Sequence, residues 1–168
     1  MATQISRRAL LGRFRGGPPQ LRPPWAWSEA IFTDRCTLCE ACIEACPERI
    51  IVAGHAGYPI VDFSTGGCTF CGACRQICSE DCFDLAEDAN PWAQHAVVGM
   101  TCVEHKGVAC RMCESACEAN ALSFRPAVGG RSNVTVQEDR CTGCGSCLSH
   151  CPVGAISIQS MASAEGHR

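Results

Sequence analysis

Three stretches of the chain repeat one arrangement of thiols. Cys36, Cys39, Cys42 and Cys46, then Cys68, Cys71, Cys74 and Cys78, then Cys141, Cys144, Cys147 and Cys151 all follow the spacing CxxCxxCxxxC. A fourth copy is stretched: seven residues separate Cys102 from Cys110, after which Cys113 and Cys117 complete the CxxCxxxC end. These intervals suit an iron–sulfur cubane. Two-residue gaps let one tight loop present three sulfurs to three iron corners. The small or polar residues between them (Gly72-Ala73, Gly143, Gly145-Ser146) let the backbone approach and donate N–H groups to the sulfides. The last cysteine, after a gap of three residues, sits on the following turn and faces away, which in the two-cluster ferredoxin pattern makes it a ligand of the partner cluster.

The runs must therefore work in pairs, each lending its last thiol to the other. One cluster would take Cys36, Cys39, Cys42 and Cys78, and its neighbour Cys68, Cys71, Cys74 and Cys46. A third would take Cys102, Cys110, Cys113 and Cys151, and a fourth Cys141, Cys144, Cys147 and Cys117. Four [4Fe–4S] clusters would then engage sixteen of the seventeen cysteines. Zinc also accepts CxxC pairs, but its sites usually leave a long gap between two pairs, and three cysteines in seven residues crowd a single tetrahedral ion. The remaining thiol, Cys82, reads as a buried apolar group, with a reserve ligand for Cys78 as the alternative. His105, in the stretched gap, could conceivably replace Cys102, although a surface position suits it better.

Short apolar segments follow each run: Ile50-Ile51-Val52, Cys82-Phe83-Asp84-Leu85, Ala121-Leu122-Ser123-Phe124 and Ala155-Ile156-Ser157-Ile158. They read as brief strands. Tyr58-Pro59-Ile60-Val61-Asp62-Phe63 and Val134-Thr135-Val136 precede the second and fourth runs in the same manner. The expected pattern is strand, cysteine loop, one-turn helix, strand. It predicts an α+β fold of two tandem bacterial-ferredoxin-like modules, about 31–90 and 91–168, each holding two clusters. Residues 1–30 are expected to stand apart as a basic arm, because Gly16-Gly17-Pro18-Pro19 and Pro23-Pro24 interrupt any regular element.

Composition supports metal as the organising element. Hydrophobic residues make up 46% of 168, but 17 of them are cysteine, which leaves a thin conventional core. Near the start the longest uncharged apolar run is Ala9-Leu10-Leu11, short of an export signal, and Arg7-Arg8 is followed by charge where a twin-arginine signal needs an apolar stretch. Nor is there a run of about 18 apolar residues to span a membrane. A soluble, cytoplasmic chain is expected, and in a reducing cytosol thiols stay free unless metal holds them. Four clusters at about −2 each would take the formal charge of −3 to about −11. Such a body would repel nucleic acid. Against it stand Arg7, Arg8, Arg13, Arg15 and Arg22, with no acid among the first 22 residues. This basic stretch is either a solvated tail or a partner-binding arm. Trp25, Trp27 and Trp92 are expected to cover apolar surface, with Trp25 and Trp27 as possible anchors of the arm in a partner. No dinucleotide fingerprint, phosphate loop or nucleophile motif is present, so no enzymatic site is expected.

The order of these features resembles the NapF family, the ferredoxin-type accessory proteins of periplasmic nitrate reductase systems. The resemblance rests on Ser6-Arg7-Arg8, Gly12-Arg13-Phe14-Arg15, Arg22-Pro23-Pro24-Trp25, two regular cysteine runs, the stretched run, Phe124-Arg125-Pro126 and a last regular run ending Cys151-Pro152. Ser79 and Glu118 stand where proline would follow the second and third runs. The resemblance implies a cytoplasmic protein carrying four [4Fe–4S] clusters. It would bind the nitrate reductase catalytic subunit, NapA, before export and assist maturation of that subunit, including its iron–sulfur cluster. An electron carrier between a cytoplasmic donor and a redox enzyme is the competing expectation.

Overall fold

Cysteine loops placed every few residues leave room only for short elements. In the computed structural model, which describes residues 21–160, the longest helix is α1, Glu29–Arg35, of 7 residues. Four one-turn helices follow: α2 Ala41–Glu44, α3 Ala73–Gln76, α4 Met112–Ser115 and α5 Ser146–Ser149. The strands are β1 Ile51–Ala53, β2 Pro59–Val61, β3 Gln94–Val98, β4 Leu122–Ala127, β5 Arg131–Val136 and β6 Ile156–Ser160.

The strands pair in twos, all antiparallel. β1 and β2 form a hairpin with Ile51 opposite Val61, and β4 and β5 form its longer counterpart with Leu122 opposite Val136. The second hairpin turns through Gly129 and Gly130, both at positive φ, where glycine carries no Cβ penalty. β3 pairs with β6, from Gln94 opposite Ser160 to Val98 opposite Ile156. In the first half the corresponding pairing shrinks to a single bridge between Ala26 and Phe83. The strand expected at Cys82–Leu85 is therefore one bridged residue. Its partner segment begins Pro23-Pro24 and continues with Trp25 at φ +62, and neither a missing N–H nor a left-handed residue can propagate a ladder.

The segment from Arg22 to Glu29 packs against the first module. The Trp25 N–H donates to the Pro91 carbonyl at 2.6 Å, the Asp84 N–H donates to the Trp25 carbonyl at 2.8 Å, and the indole Nε1 donates to Ala89 O at 2.9 Å. Arg22 grips Glu29 through two guanidinium nitrogens and donates to Pro59 O at 2.9 Å. The hydrogen bond from Arg22 holds the Glu29 carboxyl below the usual carboxylate range. Phe32 of α1 is buried edge-on against Phe83, and Cys82 joins them in one apolar cluster. The arginines at positions 7, 8, 13 and 15 lie outside the described residues.

Two further apolar clusters back the cysteine loops. One gathers Ile50, Ile51, Val61 and Phe63 and reaches Trp92, Leu148 and Ile158 of the second half. The other gathers Ala96, Leu122, Val134 and Ile156. Both contain cysteines in their walls, as expected where apolar side chains are too few to close a core alone. No helix among the described residues is long and apolar enough to cross a membrane.

Candidate metal centres

The loop geometry follows from left-handed residues at fixed places. In the regular runs the middle cysteine lies between two residues of positive φ: Leu38 and Glu40 about Cys39, Phe70 and Gly72 about Cys71, Gly143 and Gly145 about Cys144. Two such reversals within three residues curl the chain so that successive thiols turn to one side. The third cysteine of each run then rides on a one-turn helix: Cys42 on α2, Cys74 on α3, Cys113 on α4 and Cys147 on α5. A further regularity escapes notice in the sequence because its residue types differ. The third residue after the last cysteine is left-handed in all four copies: Arg49 (φ 54), Asp81 (φ 52), Asn120 (φ 49) and Gly154 (φ 57). Non-glycine residues rarely adopt this conformation, so three such cases at one position mark a reversal that the loop requires. The stretched run keeps this exit although its entry differs.

The folded chain brings the expected quartets together. Cys36, Cys39, Cys42 and Cys78 line one cavity, with Cys82 in its wall. Cys46, Cys68, Cys71 and Cys74 line a second, and Cys117, Cys141, Cys144 and Cys147 another. Cys102, Cys151 and Cys110 surround the Cys113 thiol closely enough to disfavour its ionisation. Each quartet thus draws its fourth member from the partner run.

The thiols carried on the one-turn helices would be neutral on their own. Burial, followed by the neighbouring Cys36, pushes Cys42 up to about 11; burial, followed by Cys68, pushes Cys74 up to about 12. Burial and Cys102 raise Cys113 to about 11, and burial and Cys144 raise Cys147 to about 12. Four thiolates cannot share such a pocket unless positive charge stands between them. Four cysteines on the wall of one cavity suit a sulfur-ligated polynuclear core. Backbone N–H groups already point at several sulfurs: Phe70 at Cys68 Sγ (3.3 Å), Ala96 at Cys141 Sγ (3.4 Å), Ala121 at Cys117 Sγ (3.3 Å) and Ala155 at Cys151 Sγ (3.2 Å). Such bonds favour the ionised, metal-bound sulfur. The residues present therefore fit an iron–sulfur core, whose contribution when bound would be one-electron chemistry.

The stretched gap is built around a residue that sequence reasoning missed. Val103–Lys106 forms a 3-10 turn closed by Gly107 at φ 83. Inside it Glu104 is buried, accepts the Cys110 N–H at 2.7 Å and lies 3.5 Å from Arg111 Nε. The Cys110 N–H, then the Ser132 side chain, hold its carboxyl below the usual range. A buried anion aimed at a backbone amide was detectable only as one acid among many. Glu104→Ala leaves that amide unpaired and frees the Cys110 end of the loop. Iron bound by the Cys102 quartet is expected to be lost to a chelator faster than in the parent, while the other three quartets keep theirs. Chelation kinetics followed by iron absorbance check this. His105, expected at the surface, is partly buried with no hydrogen-bond partner for Nδ1.

Cys82 is 2% exposed and lies beside Cys78 and Cys36. Burial, then the neighbouring Cys78, pushes its thiol up to about 12, which suits an uncharged, packed group. Cys82→Ser is expected to leave iron and sulfide per chain unchanged; a drop in either would assign it to the metal.

Comparison with known proteins places a 4Fe-4S domain in each half of the chain. Residues 32–83 and residues 106–155 each match a family model described as a 4Fe-4S dicluster domain. The chain is similar to the "Ferredoxin-type protein NapF" of Escherichia coli K12, at 39% identity over 95% of this chain and 97% of the relative. It is 42% identical to the protein of that name from Haemophilus influenzae, over 84% of this chain and 80% of the relative. The "Methylamine utilization ferredoxin-type protein MauM" of Methylorubrum extorquens is more distant, 32% identical over 83% of this chain and 71% of the relative. The likeness to NapF thus has the higher identity and covers more of both chains. With two dicluster domains in tandem and that match at full length, the chain belongs to the NapF family of ferredoxin-type iron–sulfur proteins.

Proposed function

We propose that this chain is a cytoplasmic accessory protein carrying four [4Fe–4S] clusters. It binds the catalytic subunit of periplasmic nitrate reductase, NapA, before export and assists assembly of that subunit's iron–sulfur cluster. The ligands are Cys36, Cys39, Cys42 and Cys78; Cys68, Cys71, Cys74 and Cys46; Cys102, Cys110, Cys113 and Cys151; and Cys141, Cys144, Cys147 and Cys117. They divide between modules of about 31–90 and 91–168, preceded by the basic N-terminal stretch. The chain has no substrate site of its own and acts through its metal.

The observation that carries this reading is the likeness to NapF over 95% of the chain, which includes the N-terminal stretch as well as the cysteine loops. The arginines at positions 7, 8, 13 and 15 give that stretch a charge opposite to the cluster-loaded body and suit it to contact a partner. The test uses the chain purified anaerobically with its metal and mixed with NapA precursor lacking its cluster. The expected result is a stable complex and recovery of NapA iron and nitrate reductase activity. NapA with normal cluster content, made in cells lacking this protein, would overturn the reading.

An electron carrier is the second reading, favoured by the contact of the one-turn helices that carry Cys42 and Cys74, and of those that carry Cys113 and Cys147. It requires steady reduction of nitrate through this protein by a cytoplasmic donor, and full nitrate respiration in its absence would discard it.

A further inference from the structure

The two halves of the molecule meet through their metal loops, and they meet at one particular pair. The Cys68 N–H donates to the Cys144 carbonyl at 2.7 Å. Cys68 and Cys144 belong to different modules, and each stands in the quartet of its own. One residue earlier, Gly67 lies so close to Ser146 that a Cβ there would sit 2.7 Å from the Ser146 amide nitrogen and 2.8 Å from its Cα. Opposite, a Cβ on Gly145 would collide with the Phe63 ring. Backbone touches backbone here because glycine stands on both sides.

The contact is supported from both flanks. Trp92 Nε1 donates to Thr142 O at 2.8 Å, and Gln94 Nε2 of β3 donates to Gly143 O at 3.1 Å, so the two residues before Cys144 are held in place. The Trp92 ring stands edge-on to Phe63 and to Phe70, which belong to the first module. Leu148 and Ile158 of the second module pack into the apolar cluster of the first. An interface with these glycine contacts and aromatic wedges is a fixed junction.

Within each module the quartets meet at their one-turn helices. Cys42 on α2 neighbours Cys74 on α3, and Cys113 on α4 neighbours Cys147 on α5.

Resting on the four-cluster reading above, we propose that the Cys68–Cys144 contact is an electron-transfer junction between the modules. It arranges the four quartets in one line: that of Cys36, that of Cys68, that of Cys144 and that of Cys102. The bridge runs from Cys68 Sγ through its own Cα and N–H, across one hydrogen bond, to the carbonyl, Cα and Sγ of Cys144. One electron from an external one-electron reductant enters the line. At the junction the donor quartet's centre returns to its oxidised state as the acceptor's is reduced, and no bond or proton changes hands. The Cys36 and Cys102 quartets are the two ends of the line.

The test is electron paramagnetic resonance of the full chain, prepared anaerobically with its metal and reduced with dithionite. In the variant Cys36→Ser/Cys102→Ser only the two central centres are intended to remain, and their spectra are expected to show mutual spin broadening. Two spectra of isolated centres would overturn the inference. Gly67→Val keeps every ligand and forces the loops apart. It is expected to keep the parent's iron and sulfide and to lose the inter-module share of the broadening. Gly66→Ala, whose Cβ would meet only Ile50 Cγ2 at 3.8 Å, is expected to match the parent. Full iron with undiminished broadening in Gly67→Val would also overturn the junction. Zinc, or too little iron for four clusters, in the parent would defeat the four-cluster reading instead, so the two failures are distinguishable.

Discussion

Cys36→Ser is expected to cost the anaerobically prepared protein about four iron atoms per chain and to loosen the neighbouring centre as well. The proposed ligand sets explain this by cross-ligation. Cys36 shares a cavity with Cys39, Cys42 and Cys78, and Cys78 belongs to the same run as Cys68, Cys71 and Cys74 of the neighbouring cavity. When the first quartet fails, Cys78 no longer anchors the end of the second loop, while Cys46 is left at the end of a loop that has lost its own metal. The second centre should therefore be retained but exchange faster with a chelator. The apolar clusters cannot compensate, because partly buried cysteines form much of the wall around Ile50, Val61 and Phe63. Iron and acid-labile sulfide analysis, with low-temperature spectra of the reduced protein, reads both effects. Unchanged iron in Cys36→Ser would remove this cysteine from the ligand set.

Trp25→Ala should destabilise the first module by about 3–5 kcal/mol, the range for truncating a large buried aromatic. Trp25 is 9% exposed, lines the wall of the Cys68 quartet, stands edge-on to Phe70 and carries the Arg75 guanidinium 4.4 Å above its ring. Its indole N–H bond to Ala89 is lost at the same time. Thermal or denaturant unfolding of the metal-loaded chain measures the loss, and the effect should exceed that of Trp27→Ala, because Trp27 is less buried. A truncation through residue 24 removes Arg22, Pro23 and Pro24 from the packed segment and is expected to damage the module as well.

The metal-binding pattern was legible because it is local. Three thiols of each regular quartet lie within seven residues, so their spacing alone states that they can face one object. The one-turn helices and most of the short strands were legible for the same reason, each following directly from a loop whose geometry is set by its cysteines. The single bridge between Ala26 and Phe83 was not, because the length of a ladder depends on what both partners can donate, and Pro23-Pro24 lies almost sixty residues from Phe83. β3 was missed because Gln94–Val98 acquires its meaning only opposite β6. Glu104 was missed because nothing local distinguishes a buried carboxylate from a solvated one until the loop folds over it.

Cysteine spacing along the chain was sufficient to indicate iron–sulfur chemistry and two tandem dicluster domains, since three thiols of each regular run share one loop. Long-range packing alone set the rest: that Trp25 belongs to the first module's body, that Glu104 secures the stretched loop, and that Gly67 meets Ser146 so the modules touch at the Cys68 and Cys144 loops. These are contacts between residues far apart in sequence. They depend on shape, on the absence of a side chain at a glycine and on the geometry of a hydrogen bond, none of which an interval between letters encodes.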